Sequence, residues 1–136
     1  MIVYLHTSLK LTSMKNILLI DDNDDNRENF SEILELSGYR VTAVSNGDAG
    51  LKEARNHPPD LILCDVQMNL MTGFEVKEKL NDLHKQDIPF IFLTACSAPH
   101  EIQKGKELGA SAYLIKPLEM STILEMIETF ISPAVF

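Results

Sequence analysis

At 136 residues the chain has the length of one domain and is too short for two ordinary ones. Apolar residues make up 45% and charged residues 24%, the balance of a globular fold with a single core; no window approaches the roughly 18 consecutive apolar residues of a membrane span. Twelve basic against twenty acidic side chains give a formal charge of −8, a field that repels phosphate backbones and argues against direct nucleic-acid binding. Two cysteines, Cys64 and Cys96, are too few for a disulfide scaffold and fit a cytoplasmic protein with free thiols.

Residues 1–13 precede a second methionine, Met14. Their Ile2-Val3-Tyr4-Leu5 run is too short for a signal sequence and lacks a basic segment before it. They read as an extension of unknown role (an added element, a tail or an over-long start), with the domain proper over 14–136. From there, short apolar runs alternate with longer amphipathic ones. Five runs predict strands: Ile17–Ile20, Tyr39–Val44, Leu61–Cys64, Phe90–Leu93 and Ala112–Ile115. Four are almost continuously apolar, as expected of strands covered on both faces in a parallel sheet. The second alternates, as an edge strand does.

Between them lie helical segments. Phe30, Ile33 and Leu34 form one stripe, stopped by Ser37-Gly38. Val76, Leu80 and Leu83 form a second, and Met120, Ile123, Leu124, Ile127 and Ile131 the strongest, ended by Pro133. The stretch from Pro99 to Leu108 has Ile102 as its main apolar residue and Gly105 inside it, at a cost of about 1 kcal/mol relative to Ala. It predicts a weakly anchored helix suited to movement or partner contact. The alternation is (βα)5, an α/β three-layer sandwich with right-handed crossovers.

Ligands of open parallel sheets gather at the carboxyl ends of the strands. The first strand leads into Asp21-Asp22, the third into Asp65, the fourth into Thr94 and the fifth into Lys116-Pro117. Three acids, a hydroxyl and an ammonium therefore converge on one rim. Clustered carboxylates raise one another's pKa unless a cation sits among them. Hard oxygen ligands of this kind suit Mg²⁺, and a carboxylate beside it can attack phosphorus to become an aspartyl phosphate. Lys and Thr are suitable donors to the phosphoryl oxygens. The constellation reads as a magnesium-assisted phosphoryl acceptor.

The stretches Ile17-Leu18-Leu19-Ile20-Asp21-Asp22, Pro59-Asp60-Leu61-Ile62-Leu63-Cys64-Asp65, Phe92-Leu93-Thr94-Ala95 and Gly109-Ala110-Ser111-Ala112-Tyr113-Leu114-Ile115-Lys116-Pro117 occur in one order at intervals 22→65, 65→94 and 94→116. In these the chain, from residue 15 to about 131, resembles the response-regulator receiver domains of two-component signalling, the CheY-like superfamily. The resemblance implies a doubly wound, flavodoxin-like parallel sheet of strand order 2-1-3-4-5. It implies that Asp65 accepts phosphate from a phosphohistidine on a sensor histidine kinase or a histidine phosphotransfer protein. Asp22 would then bind Mg²⁺ directly, Asp21 largely through water, and Asp65 and the Gln67 backbone carbonyl as further ligands. Thr94 and Lys116 would contact the phosphoryl group. Tyr113 would be the aromatic whose rotamer follows Thr94, and Lys116–Pro117 a cis peptide aiming the ammonium inward. The face formed by the fourth helix, fifth strand and fifth helix would be read by a downstream effector protein, and the resemblance allows a phosphorylation-dependent dimer.

Met68-Asn69-Leu70-Met71-Thr72-Gly73 departs from the family's common Met-Pro-x-Met-Asp-Gly, with Asn69 for proline and Thr72 for the acid. Leu118 stands where phenylalanine is common. Gln67 and Cys96 flank the expected path of attacking water, so slow autodephosphorylation is expected. Competing readings are weaker. A haloacid-dehalogenase-type phosphatase needs a second acid two residues after the nucleophile, where this chain has Gln67. A flavodoxin-like nucleotide binder needs a Gly/Ser/Thr phosphate cradle, where this chain has Asp21-Asp22-Asn23-Asp24-Asp25. A receiver reduced to a docking module would not need all five positions. His6, His57, His84 and His100 show no ligand spacing and read as surface residues.

Overall fold

The computed structural model describes residues 14–134; the extension expected over 1–13 lies outside the described residues. Within them the chain alternates β1 (Asn16–Ile20), α1 (Asp24–Leu36), β2 (Arg40–Val44), α2 (Gly47–Asn56), β3 (Leu61–Asp65), α3 (Gly73–Asp82), β4 (Phe90–Thr94), α4 (Pro99–Glu107), β5 (Ala112–Ile115) and α5 (Met120–Phe130). All strand pairs are parallel, in the order β2-β1-β3-β4-β5.

The continuous apolar runs follow from the period of two along a strand. In β1, Leu18 and Ile20 enter one core layer with Leu51 of α2, Val76 and Leu80 of α3, and Phe90 and Phe92 of β4. Ile17 and Leu19 enter the other, with Leu34 of α1 and Ile123 and Ile127 of α5. A strand covered twice has no solvent face to be polar. The fifth strand takes the edge place that the order 2-1-3-4-5 implies, but although it is as apolar as the central three, each of its residues is half-buried rather than covered on both faces.

Helix ends follow local chemistry. Asn23, Asn46 and Thr72 cap α1, α2 and α3 by accepting the N–H groups of Asn26, Ala49 and Glu75. Gly38, at φ 100°, stops α1 at the expected place. The four-residue spacing of Ile123 and Ile127 anchors α5, whereas α4 has Gly105 as its buried residue. A Cβ there would lie 3.0 Å from Tyr113 Cδ2 and 3.3 Å from Phe92 Cδ2. The weakly anchored helix expected from the sequence thus rests on a glycine seat.

Candidate functional site

The acids and their partners meet at the carboxyl edge of β1, β3, β4 and β5. Asp21 follows β1 directly, its N–H donating to the Val44 carbonyl at 3.1 Å. It is buried; Oδ1 accepts the Asn23 N–H at 2.9 Å, while Oδ2, shut away from solvent, has no partner among the described residues. Asp22 is half-buried, and its Oδ2 accepts the Asn69 N–H at 3.1 Å. Asp65 ends β3 and is 8% exposed. Each of the three carboxyl groups offers an oxygen within 4.8 Å of the other two.

Opposite them, Lys116 Nζ donates to Asp65 Oδ1 at 2.9 Å. Its own backbone N–H donates to the Thr94 carbonyl at 2.7 Å, and the Lys116–Pro117 peptide is cis. Thr94 ends β4, buried, with Oγ1 accepting the Cys96 N–H at 3.1 Å. The Tyr113 hydroxyl donates to the Cys96 carbonyl at 3.3 Å. Asp65, Gln67, Leu93, Thr94, Ala95 and Lys116 line a small open pocket of about 110 Å³. A much larger groove, about 680 Å³, lies between α2 and α3 and contains none of these groups. These charged groups converge on the small pocket and not on the groove.

Burial first, then the neighbouring Asp21 carboxyl, push Asp65 up to about 7, against the opposing pull of Lys116. Three carboxylates against one ammonium leave an excess of negative charge beside the buried, unpartnered Asp21 oxygen. An all-oxygen donor set of this kind fits a hard divalent cation. Cys64, fully buried beneath Asp65, has its thiol raised well above the ordinary value by burial and by Asp65 and Asp21. It packs as a small apolar residue and is chemically quiet. His57, His84 and His100 are exposed, as expected; His6 lies outside the described residues.

The family model described as the response regulator receiver domain matches residues 17–128. The chain belongs to this family. DivK, the polar-differentiation response regulator of Brucella anthropi, is 33% identical over 121 residues, covering 88% of this chain and 98% of DivK. The chemotaxis protein CheY4 of Vibrio cholerae superposes with a TM-score of 0.81 at 32% identity, over 88% of this chain and all of that one. The response regulator TrrA of Thermotoga maritima, solved in complex with Mg²⁺ and a beryllium fluoride, superposes with a TM-score of 0.78 at 28% identity, over 87% of this chain and all of TrrA. The five-stranded flavodoxin-like architecture and the receiver identity expected from the sequence both hold. Receiver domains are the signalling switches of two-component systems, and they bind Mg²⁺ at an acidic cluster; this chain presents Asp21, Asp22 and Asp65 for it.

Three features escaped sequence reasoning. Arg27 reaches back from α1 to the Asp21 carbonyl, Lys77 is buried on the inner face of α3, and Leu70 projects fully into solvent at φ 69°. Lys77 had a partial signal, lying next to Val76 on the apolar face of α3.

Proposed function

We propose that Asp65 is the phosphoacceptor and that this receiver takes its phosphoryl group from a phosphohistidine on a sensor histidine kinase or histidine phosphotransfer protein. The observation that carries the reading is the meeting of Asp21, Asp22 and Asp65 with Lys116 at one strand edge. Lys116 engages Asp65 Oδ1, which leaves Oδ2 to attack phosphorus. The new P–O bond forms as the P–N bond breaks, and its electron pair returns to the imidazole nitrogen. Lys116 and the Thr94 hydroxyl then donate to phosphoryl oxygens; Thr94 accepts from Cys96 N–H, so its own proton is free for this. Asp21, Asp22, Asp65 and the Gln67 carbonyl would hold Mg²⁺, which supplies neutralising charge for the transferring group.

The transfer adds close to two negative charges at Asp65. Drawing Thr94 inward alters the surroundings of Cys96 and Tyr113, and through Gly105 those of α4. The face of α4, β5 and α5 is then the output surface for an effector protein, with a dimer through it as one phosphorylated state. The domain assists its own phosphorylation and dephosphorylation and turns over no separate substrate. Neither Gln67 nor Cys96 is an efficient base for water, in keeping with slow hydrolysis. Cys64 and Cys96, both free thiols, accord with a cytoplasmic setting. Among the described residues no helix is long and apolar enough to cross a membrane.

Acetyl phosphate with Mg²⁺ tests the acceptor. Wild type is expected to gain one acid-labile phosphoryl group by intact mass, and Asp65→Asn none. Labelling of Asp65→Asn at wild-type stoichiometry would overturn the assignment.

A further inference from the structure

We infer that Arg27 is a positioning residue for the metal-binding acids, acting through the peptide that joins Asp21 to Asp22. The inference rests on the phosphoacceptor reading above and concerns how the acidic edge is held in shape. Asp21 lies just past the end of β1. Its N–H is still paired with Val44 across the sheet, but its carbonyl has left the ladder. Arg27, in the first turn of α1, donates to that carbonyl through one terminal nitrogen at 2.9 Å. No other hydrogen bond reaches this oxygen among the described residues. The other terminal nitrogen donates to Asp24 Oδ1 at 2.6 Å.

The geometry has a direct consequence for the carboxylates. The Asp21 carbonyl belongs to the planar peptide linking Asp21 and Asp22. Rotating that plane changes ψ of Asp21 and φ of Asp22 together, and so swings one carboxyl group relative to the other. Asn23 N–H on Asp21 Oδ1 and Asn69 N–H on Asp22 Oδ2 hold the two side chains. Arg27 holds the plane between them. Without a cation, three crowded carboxylates push apart, and this turn carries two of them while the third ends strand β3. A guanidinium fixed at both ends resists that opening and keeps the ligand set formed before metal arrives, as partners behind metal ligands do elsewhere.

The two ends of Arg27 are unequal. Its side chain is 20% exposed, whereas that of Asp24 is 82% exposed. An ion pair so wet contributes little by itself, so the bond to the carbonyl is the functional one and Asp24 is a guide for it.

The test is Mg²⁺ affinity of the full chain by isothermal titration calorimetry, with thermal melts in EDTA and amide hydrogen exchange at Asp22 and Asn23. Arg27→Ala is expected to weaken Mg²⁺ about 10-fold and to speed exchange at both amides in the metal-free protein. Arg27→Lys, which can still reach the carbonyl, is expected to recover most of the affinity, and Asp24→Ala to stay within about 2-fold of wild type. Wild-type affinity in Arg27→Ala overturns the inference, as does an equal loss in Asp24→Ala, which would make the ion pair the active element. If Arg27→Ala does not fold, Arg27→Gln replaces it, and equal affinities for Gln and Lys at this position overturn the inference. A wild-type chain that binds no Mg²⁺ overturns the phosphoacceptor reading itself, a result distinguishable from the others.

Discussion

Lys77 Nζ donates to Asn81 Oδ1 at 2.7 Å inside α3, and Asn81 passes the contact on, its Nδ2 donating to the Leu108 carbonyl at 2.9 Å. Leu108 caps the end of α4, so a charged group 1% exposed is tied to the C-terminus of the neighbouring helix. Burial lowers the Lys77 pKa, with Asp87 opposing. The ammonium also lies 5.8 Å from the Phe90 ring centroid.

Breaking this strap at its centre should cost more than replacing its charged end. Asn81→Ala leaves both the ammonium and the Leu108 carbonyl without their partner, and is expected to lose about 1.5–3 kcal/mol. Lys77→Met keeps the volume and removes the buried charge, so its loss should be smaller. Urea denaturation compares them, and amide exchange in α4 should rise selectively in Asn81→Ala.

The raised Asp65 carboxyl makes the metal-free protein sensitive to pH. Its folded value, about 7, lies above the ordinary 3.8, so the folded state binds the proton more tightly than the unfolded chain. The stability this group contributes is fully present below about pH 4 and is lost as pH rises through 7. In EDTA, Asp65→Asn should therefore melt above wild type at pH 8, by roughly 3–6 °C, and the gap should close towards pH 4. Thermal melts across that range check the sign.

Leu70 offers a stabilising substitution. Its φ of 69° is costly for a branched side chain, and being 99% exposed it gains nothing from packing. Asparagine tolerates this region, so Leu70→Asn should gain about 1 kcal/mol in urea denaturation and leave acetyl phosphate labelling unchanged.

Gly73 should tolerate no side chain. A Cβ there would overlap the Asp65 carbonyl oxygen, and the Val66 Cα would be 3.0 Å away. Both obstacles are backbone and cannot swing aside. Gly73→Ala is expected to cost about 2 kcal/mol or more and to slow labelling of Asp65, read by denaturation and by intact mass.

The strands and their layering were legible because every second residue of a doubly covered strand must be apolar on each side. Asp21, Asp22, Asp65, Thr94 and Lys116 were legible because strand ends in such sheets are where polar groups meet. Helix α2 had no comparable stripe: of Gly47, Gly50, Leu51 and Ala54, its buried residues, two carry no side chain. Gly50 lets the helix settle onto Ile20, so closeness replaces hydrophobic bulk and periodicity has little to register. The edge position of β5 came from the strand order that the resemblance implies and not from its own residues, since α4 and α5 half-cover residues that composition alone assigns to the interior. Arg27, Lys77 and Asn81 act through hydrogen bonds to main-chain atoms or to each other, and such bonds leave no trace in residue spacing.

With glycine as its first residue, α3 seats directly on the Asp65 peptide, and no compliant layer separates them. Helix α4 has the opposite mounting, a bare patch of contact at Gly105 and a tether at its far end. In mechanical terms α3 is the fulcrum and α4 the lever. Under the proposed phosphorylation of Asp65, a disturbance there would be borne stiffly by the nearest helix and become travel at the remoter one, so the throw of the device would be set by the tether more than by the acids.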